Sequence, residues 1–234
     1  FYCGRMANVW RAFAVLFMAI LLAGWMFQPP AVQVLPDQSA FHYQGRWHQG
    51  EDGREADWPC TAVTFDVQAT EATSFKVLWS ASGPSRFNLT VGNFSKVQMS
   101  WIPWKLESSE VEIPSAGRFT VELRKLSGSH PFGTGRLGSY LPARWVLYGL
   151  DKVPNDIKLL RPVRPKRRIE FVGSGDTAGF AVDASDSSFL SAWLWQTTTQ
   201  SCQAAYPGLV AKQLDAEYQV QALVGVGVVQ NAHH

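Results

Sequence analysis

The 234-residue sequence predicts a mixed fold, in which a β-sandwich of jelly-roll type precedes a partial α/β unit and a hydrophobic helix stands at the N-terminus. Three observations support this prediction: apolar residues alternate with period two from about residue 40 to 160, a strand–turn–helix–strand pattern follows residue 169, and residues 12–27 carry no charge. The predicted division is an N-terminal segment 1–30, a sandwich 38–160, a basic linker 161–168 and an α/β unit 169–234.

The composition excludes several classes of protein. Hydrophobic residues make up 46% of the chain and charged residues 17%, which is typical of folded proteins and not of disordered ones. The 21 Lys and Arg nearly balance the 19 Asp and Glu, giving a formal net charge of +2. We therefore expect no nucleic-acid partner, because such a balance does not attract the chain to a phosphate backbone.

The uncharged stretch 12–27 follows Arg5 and Arg11. As a helix it would span roughly 24 Å, slightly less than the usual hydrocarbon core of roughly 30 Å. No small-residue cleavage pattern precedes Gln28, which favours a membrane anchor over a cleaved signal peptide. With the positive charges before the segment, residues 28 onward are expected on the lumenal or extracellular side, either membrane-anchored or secreted. Both alternatives stay open, as does an organelle membrane.

Two glycosylation sequons, at Asn88 and Asn93, agree with a secretory compartment. Of the three cysteines, Cys3 falls on the predicted cytoplasmic side, and only Cys60 and Cys202 could pair on the other side. Because these two lie in different predicted domains, a disulfide is possible but is not the favoured alternative.

Short alternating segments predict the strands of the sandwich. Turn sequences such as 82–84 and 115–117 separate them, and six or more such strands without a helical period indicate an antiparallel jelly roll. The inward-facing residues are expected to be Val63, Phe65 and Val67; Phe75, Val77 and Trp79; Phe87, Leu89 and Val91; Val97, Met99 and Trp101; Phe119, Val121 and Leu123; and Trp145 and Leu147.

Four tryptophans near turns could stack on sugar rings, although a core role is expected for most of them. They are Trp47, Trp58, Trp101 and Trp104. His42 and His48, with Asp52 and Asp57 after them, are spaced too loosely to predict a metal site, so we predict neither a metal nor a cofactor.

The basic stretch 161–168 is interpreted as a solvated connector. After it, the apolar strand 169–172 runs into a glycine-rich turn at 173–180, an arrangement that places chemistry at the carboxyl end of a strand. A helix from Tyr206 and a strand around Tyr218 complete the unit. Such a small β-α-β unit cannot bury both faces of its sheet, so we expect a further part of a longer protein or a protein partner to cover it.

Several ordered blocks between about residues 40 and 231 resemble carbohydrate esterase family 2, within the SGNH hydrolase superfamily. The family pattern reads approximately RRIEFIGDSITAGYG, AYPALLA, GAEYHV and SGKGVVRNY. The matching blocks here are 45–47, 167–173 with 177–180, 205–207, and 215–218 with 225–231. The resemblance implies a jelly-roll domain, a flavodoxin-like SGNH domain, and a serine that deacetylates polysaccharide.

The nucleophile motif departs from the family pattern. An ungapped alignment sets Gly173, Ser174, Gly175, Asp176 and Thr177 against Gly-Asp-Ser-Ile-Thr, so Gly175 occupies the position of the catalytic serine. Ser174, one residue earlier, would aim its hydroxyl in another direction, which leaves it only a displaced candidate nucleophile.

Other parts of the family's machinery are reduced or lack a counterpart. Gly179 keeps the glycine of the motif, and Gly225 could still offer a backbone N–H to an oxyanion. The family's C-terminal Asp-x-x-His has no counterpart, and His233 and His234 come too early to replace it.

Because a serine hydroxyl needs a base within reach, we expect an esterase-like protein that is inactive in this form, either a pseudoenzyme or a truncated member. The alternative is a membrane-anchored, non-catalytic scaffold or glycan-binding subunit of a larger complex. A polysaccharide remains a possible partner under both hypotheses. A third possibility is an active hydrolase that uses Ser174 together with a base from another chain.

Overall fold

The computed structural model describes residues 32–130, 141–184 and 196–224. The described chain is mostly β-strand with three short helices, as predicted for a β-rich domain followed by a partial α/β unit. The strands are β1 His42–Gln44, β2 His48–Gln49, β3 Arg54–Ala56, β4 Ala62–Ala69, β5 Thr73–Ala81, β6 Ser85–Val91, β7 Phe94–Ser100, β8 Glu107–Ile113, β9 Gly117–Lys125, β10 Ser129–His130, β11 Leu141–Pro142, β12 Trp145–Asp151, β13 Lys158–Leu160, β14 Arg167–Gly173 and β15 Ala216–Ala222. The helices are α1 Gly175–Ala178, α2 Gln196–Thr199 and α3 Tyr206–Gln213.

Two antiparallel sheets form the β-rich domain. The first has the strand order β1-β4-β9-β6-β7, with β13 also paired to β4, and the second has the order β2-β3-β12-β5-β8. Alternating apolar residues of both sheets form one core, as the period-two pattern predicts. Its largest fully buried apolar side chains include Phe65, Phe75, Trp79, Phe87 and Trp145.

Strand β7 contradicts the expected inward face. Val97 is 48% exposed, and Trp101 lies beyond the end of the strand and is 54% exposed. Gln98, a polar residue of β7, faces inward instead. The Trp79 indole donates to Ser109 Oγ at 2.8 Å, and Ser109 Oγ donates to Gln98 Oε1 at 2.6 Å. The prediction was wrong here because a buried indole N–H requires an acceptor, which outweighs the apolar pattern on an edge strand.

The α/β unit consists of β14 and β15, paired in parallel from Arg167↔Ala216 to Gly173↔Ala222, with α1 and α3 between them in sequence. Both strands therefore end at the same edge. One face of the pair is packed into a second apolar cluster, formed by Cys60, Ala178, Cys202, Ala211, Tyr218, Val220 and Ala222.

A disulfide between Cys60 and Cys202 joins the sandwich to the α/β unit, with 5.8 Å between the two Cα atoms. The structure therefore contains the disulfide, which was the less favoured alternative. The two cysteines meet because the chain before α3 packs against the sandwich, where Cys202 N donates to Leu126 O at 3.2 Å. Both cysteines are fully buried.

The predicted hydrophobic helix at 12–27, like Cys3, lies outside the described residues. In the part of the chain that the structure describes, no helix has the length and apolar character needed to cross a bilayer.

Candidate functional site

The glycine-rich turn lies at the carboxyl end of β14, where Gly173 ends the strand and α1 begins at Gly175. Gly173 is required by close packing: a Cβ there would lie 2.0 Å from Thr177 Oγ1 and 2.8 Å from Thr177 Cβ. Glycine at this position therefore lets the first turn of the helix fold back onto the end of the strand.

Thr177 is 5% exposed, and its hydroxyl lies 2.9 Å from the hydroxyl of Tyr206 at the start of α3. The Tyr206 ring packs edge-on against Phe171 of β14, with 5.7 Å between the ring centroids. This pair fixes the two helices of the unit against the strand. Sequence analysis did not single out the pair, although Tyr206 lies in one of the family-like blocks.

Gly179 closes the turn in the left-handed region, with φ +76°. A Cβ there would lie 2.3 Å from Ser201 O, so the chain can approach this closely only at a glycine. Next to it, the buried Gln200 side chain donates to Ala178 O at 2.9 Å and accepts from Gly128 N at 3.1 Å. Gln200 thereby ties the turn to the sandwich, a role that no sequence signal indicated.

Ser174, the displaced candidate nucleophile, precedes α1 and is exposed, and its side chain does not cap the helix. The two histidines whose side chains the structure describes lie elsewhere, each beside a glutamate. His42 Nε2 lies 3.1 Å from Glu217, and His48 Nε2 lies 3.0 Å from Glu55. Within the described chain, Ser174 therefore lacks the histidine base that would activate its hydroxyl.

Gly175, which the alignment sets at the position of the family's serine, has room for a side chain. The nearest atom to a Cβ built there is Phe180 Cβ at 3.7 Å, an ordinary contact distance. The backbone of the turn therefore has room for a serine side chain at this position. Asp176, which the alignment sets against the family's isoleucine, is exposed, and Gly225 lies outside the described residues.

The four candidate tryptophans separate into two groups. Trp47 packs on Trp145 at 4.6 Å between centroids, and Trp58 is half-buried under the Arg46 guanidinium. Trp101 and Trp104, by contrast, are exposed in the connection between β7 and β8. Only this second pair presents rings to solvent that could stack on a sugar.

The two sequons also differ in their surroundings. Asn88 is 6% exposed, its side chain donates to Gln203 Oε1 at 2.9 Å, and its Oδ1 accepts from Ser95 at 2.7 Å. Asn93 is exposed in the turn between β6 and β7. A glycan therefore fits on Asn93 in the folded chain, whereas Asn88 is occupied in joining the sandwich to the segment before α3.

The fold and the glycine turn define a class: a β-sandwich protein with an attached partial α/β unit that has a glycine-rich turn at the end of its first strand. No family model matches the chain. It is 32% identical, over 121 residues, to an acetylxylan esterase / glucomannan deacetylase of Cellvibrio japonicus (strain Ueda107); the match covers 52% of this chain and 30% of the relative.

Solved structures show the same fold. A family two carbohydrate esterase from Clostridium thermocellum, solved with cellohexaose, matches with a TM-score of 0.64 and 20% identity, over 82% of this chain and 53% of that one. An acetyl xylan esterase from Butyrivibrio proteoclasticus matches with a TM-score of 0.65 and 16% identity, over 83% and 49%. The chain spans about half the length of these structures. The resemblance to family 2 carbohydrate esterases is confirmed in sequence and fold.

Proposed function

We propose that this chain is an esterase-like protein without esterase activity in its present form. The observation that carries the proposal is Gly175 at the position of the nucleophile, in a turn that otherwise keeps the glycines and the buried threonine of the family pattern. Ser174 offers no replacement, because its hydroxyl points from a different position of the turn and lacks a histidine base in the described chain.

Hydrolysis of p-nitrophenyl acetate by the purified full chain tests this proposal. We expect the wild-type chain and Ser174→Ala to show the same rate as buffer, while the Cellvibrio japonicus relative, as positive control, turns the ester over. Turnover by the wild-type chain that disappears in Ser174→Ala would contradict the proposal and would make Ser174 a working nucleophile.

We also propose a glycan-binding role, because the connection 101–106 carries two exposed tryptophans. Trp101 is 54% exposed and Trp104 36%, and one face of Trp104 is covered by the Arg144 guanidinium at 4.9 Å. The Trp104 backbone N–H donates to Ala81 O at 2.6 Å, which holds the connection against the sandwich. Flat aromatic rings held in this way suit stacking on the faces of sugar rings.

Sedimentation with insoluble xylan and cellulose tests the glycan-binding role. We expect Trp101→Ala to reduce the bound fraction several-fold, whereas Phe94→Ala, which removes an aromatic ring that is 70% exposed on β7, leaves binding unchanged. Equal binding by both variants, or none by the wild-type chain, would contradict it.

We extend the proposal to three further features: the predicted domain division, a membrane anchor at 12–27 and a partner for the α/β unit. The buried disulfide supports a location outside the reducing cytosol, on the secretory side. The partner, or more of the same protein, would cover the face of β14 that lies outside the apolar cluster, where Val172 is 64% exposed.

A further inference from the structure

A cavity of about 360 Å³ lies between the sandwich and the α/β unit, away from the glycine turn. One wall is β1 with Gly45, and the other is formed by residues 168–170 of β14 and 217–219 of β15. These positions come three to five residues before the ends of the two strands, which corresponds to roughly 10–17 Å along the sheet. The cavity is therefore separate from the candidate site described above.

Several buried polar atoms in this cavity lack partners. His42 is 4% exposed; its Nε2 lies 3.1 Å from Glu217 Oε1, and its Nδ1 is buried without a hydrogen-bond partner in the described chain. Glu217 Oε2 and Arg164 Nε are also buried without a hydrogen-bond partner in the described chain. Buried polar groups are nearly always satisfied, so this cluster indicates a ligand that supplies the missing bonds.

Arginines outnumber glutamates around the cavity. Arg164 and Arg168 face Glu170 and Glu217 across it, and Arg46 lies 4.0 Å from Glu170. Burial and two nearby arginines lower the pKa of His42, against the raising effect of Glu217. The arginine and glutamate side chains offer a ligand both donors and acceptors.

The unsatisfied atoms require a ligand that both donates and accepts. A carboxylate oxygen needs a donor, the arginine Nε needs an acceptor, and the buried Nδ1 of His42 needs a partner of its own. Hydroxyl groups combine both roles at a single atom. Tyr218 and Ile169 add an apolar surface on which a sugar ring can rest.

We propose that this cavity binds a neutral polyhydroxylated ligand of one or two pyranose rings, oriented by His42, Arg164 and Glu217. Its size is at the lower end of ligand pockets, which run from roughly 300 to 1,000 Å³. The site goes beyond the proposed function, because it involves neither the glycine turn nor the connection 101–106.

Calorimetric titration of the full chain with D-xylose, D-glucose and D-mannose tests the site, with inorganic phosphate and glycine as charged probes. We expect at least one pyranose to bind saturably and neither charged probe to do so. Glu217→Gln and Arg164→Gln should each weaken that binding about tenfold or more, since a hydrogen bond to a charged group is lost. Glu51→Gln, in an exposed loop, should leave the dissociation constant unchanged.

Thermal unfolding of each variant shows whether it is folded before binding is compared. Absence of saturable binding of all three pyranoses by the folded wild-type chain would overturn the proposal, as would saturable phosphate binding in their place. Unchanged binding in both folded cavity variants would also overturn it. Trp101→Ala and the esterase assay leave this site untouched, so their outcomes bear on the proposed function alone.

Discussion

Lys125 shows how a single residue can couple stability to pH. Its side chain is fully buried, and its ammonium donates to Asp57 O at 2.6 Å and to Ala143 O. Burial lowers the pKa of Lys125 to about 7, against a weaker raising effect of Asp57. Between pH 7 and the ordinary lysine value of 10.5, the unfolded chain therefore holds a proton that the folded chain has lost.

Stability should consequently rise with pH across this window, by up to about 1.4 kcal/mol per pH unit from this residue. Urea unfolding of the wild-type chain and of Lys125→Met, at pH 7.5, 8.5 and 9.5, measures the difference between their slopes. We expect the variant to lose this rise. The same slope in both chains would show that Lys125 titrates normally in the folded state.

The two sequons lead to a second prediction at this scale. On secretion from a eukaryotic cell, the folded chain should carry its glycan on Asn93, because Asn88 is hydrogen-bonded to Gln203 and Ser95. Asn93→Gln should remove the glycosidase-sensitive shift on a gel, and Asn88→Gln should not. A shift that depends on Asn88 would mean that this side chain is free in the secreted protein.

At the scale of elements, the two glycines in the turn between β14 and α1 differ in how closely their surroundings pack. Gly173→Ala places a Cβ 2.0 Å from Thr177 Oγ1, whereas at Gly175 the nearest atom is 3.7 Å away. We expect Gly173→Ala to lower the free energy of unfolding by about 1–3 kcal/mol, and Gly175→Ser to change it by about 0.5 kcal/mol or less. Urea denaturation measures both, and equal losses would contradict the described turn.

The elements differ in how well the sequence predicts them. The apolar run at 169–172 predicted β14 correctly. The helix expected from Tyr206 is present as α3, but its apolar residues Tyr206 and Leu209 are exposed, and the helix buries Pro207, Gly208 and Ala211 instead. Strand β8 was missed, since its sequence ESSEVEI carries polar residues at most positions. The inverted face of β7 depends on a hydrogen bond from Ser109 of β8, which in turn accepts from Trp79 of β5, and a local sequence pattern does not register contacts between strands.

The candidate site was predictable only in part. The family-like blocks located the glycine turn and led to the prediction that Gly175 stands at the position of the serine. The sequence did not reveal that Gln200 ties this turn to Gly128 of the sandwich, or that His42 lies 3.1 Å from Glu217 beside a cavity. Both contacts are made across the junction of the two units, and only tertiary packing determines them.

At the scale of the whole molecule, one disulfide closes 142 residues of chain and joins the sandwich to the α/β unit. A cross-link over a long loop restricts the unfolded chain, so its removal should cost about 2–5 kcal/mol. Urea unfolding of the Cys60→Ser/Cys202→Ser double variant should show this loss, and Cys3→Ser should not. Equal stability of the double variant and the wild-type chain would show that packing alone holds the junction.

The central claim is that the turn has kept its architecture and lost its nucleophile. Intact-mass measurement after incubation with a fluorophosphonate tests it most directly, because the reagent forms a stable adduct with an activated serine. We expect the full wild-type chain to keep its mass under conditions in which the Cellvibrio japonicus relative is fully labelled. A stoichiometric adduct on the wild-type chain that is absent from Ser174→Ala would contradict the account.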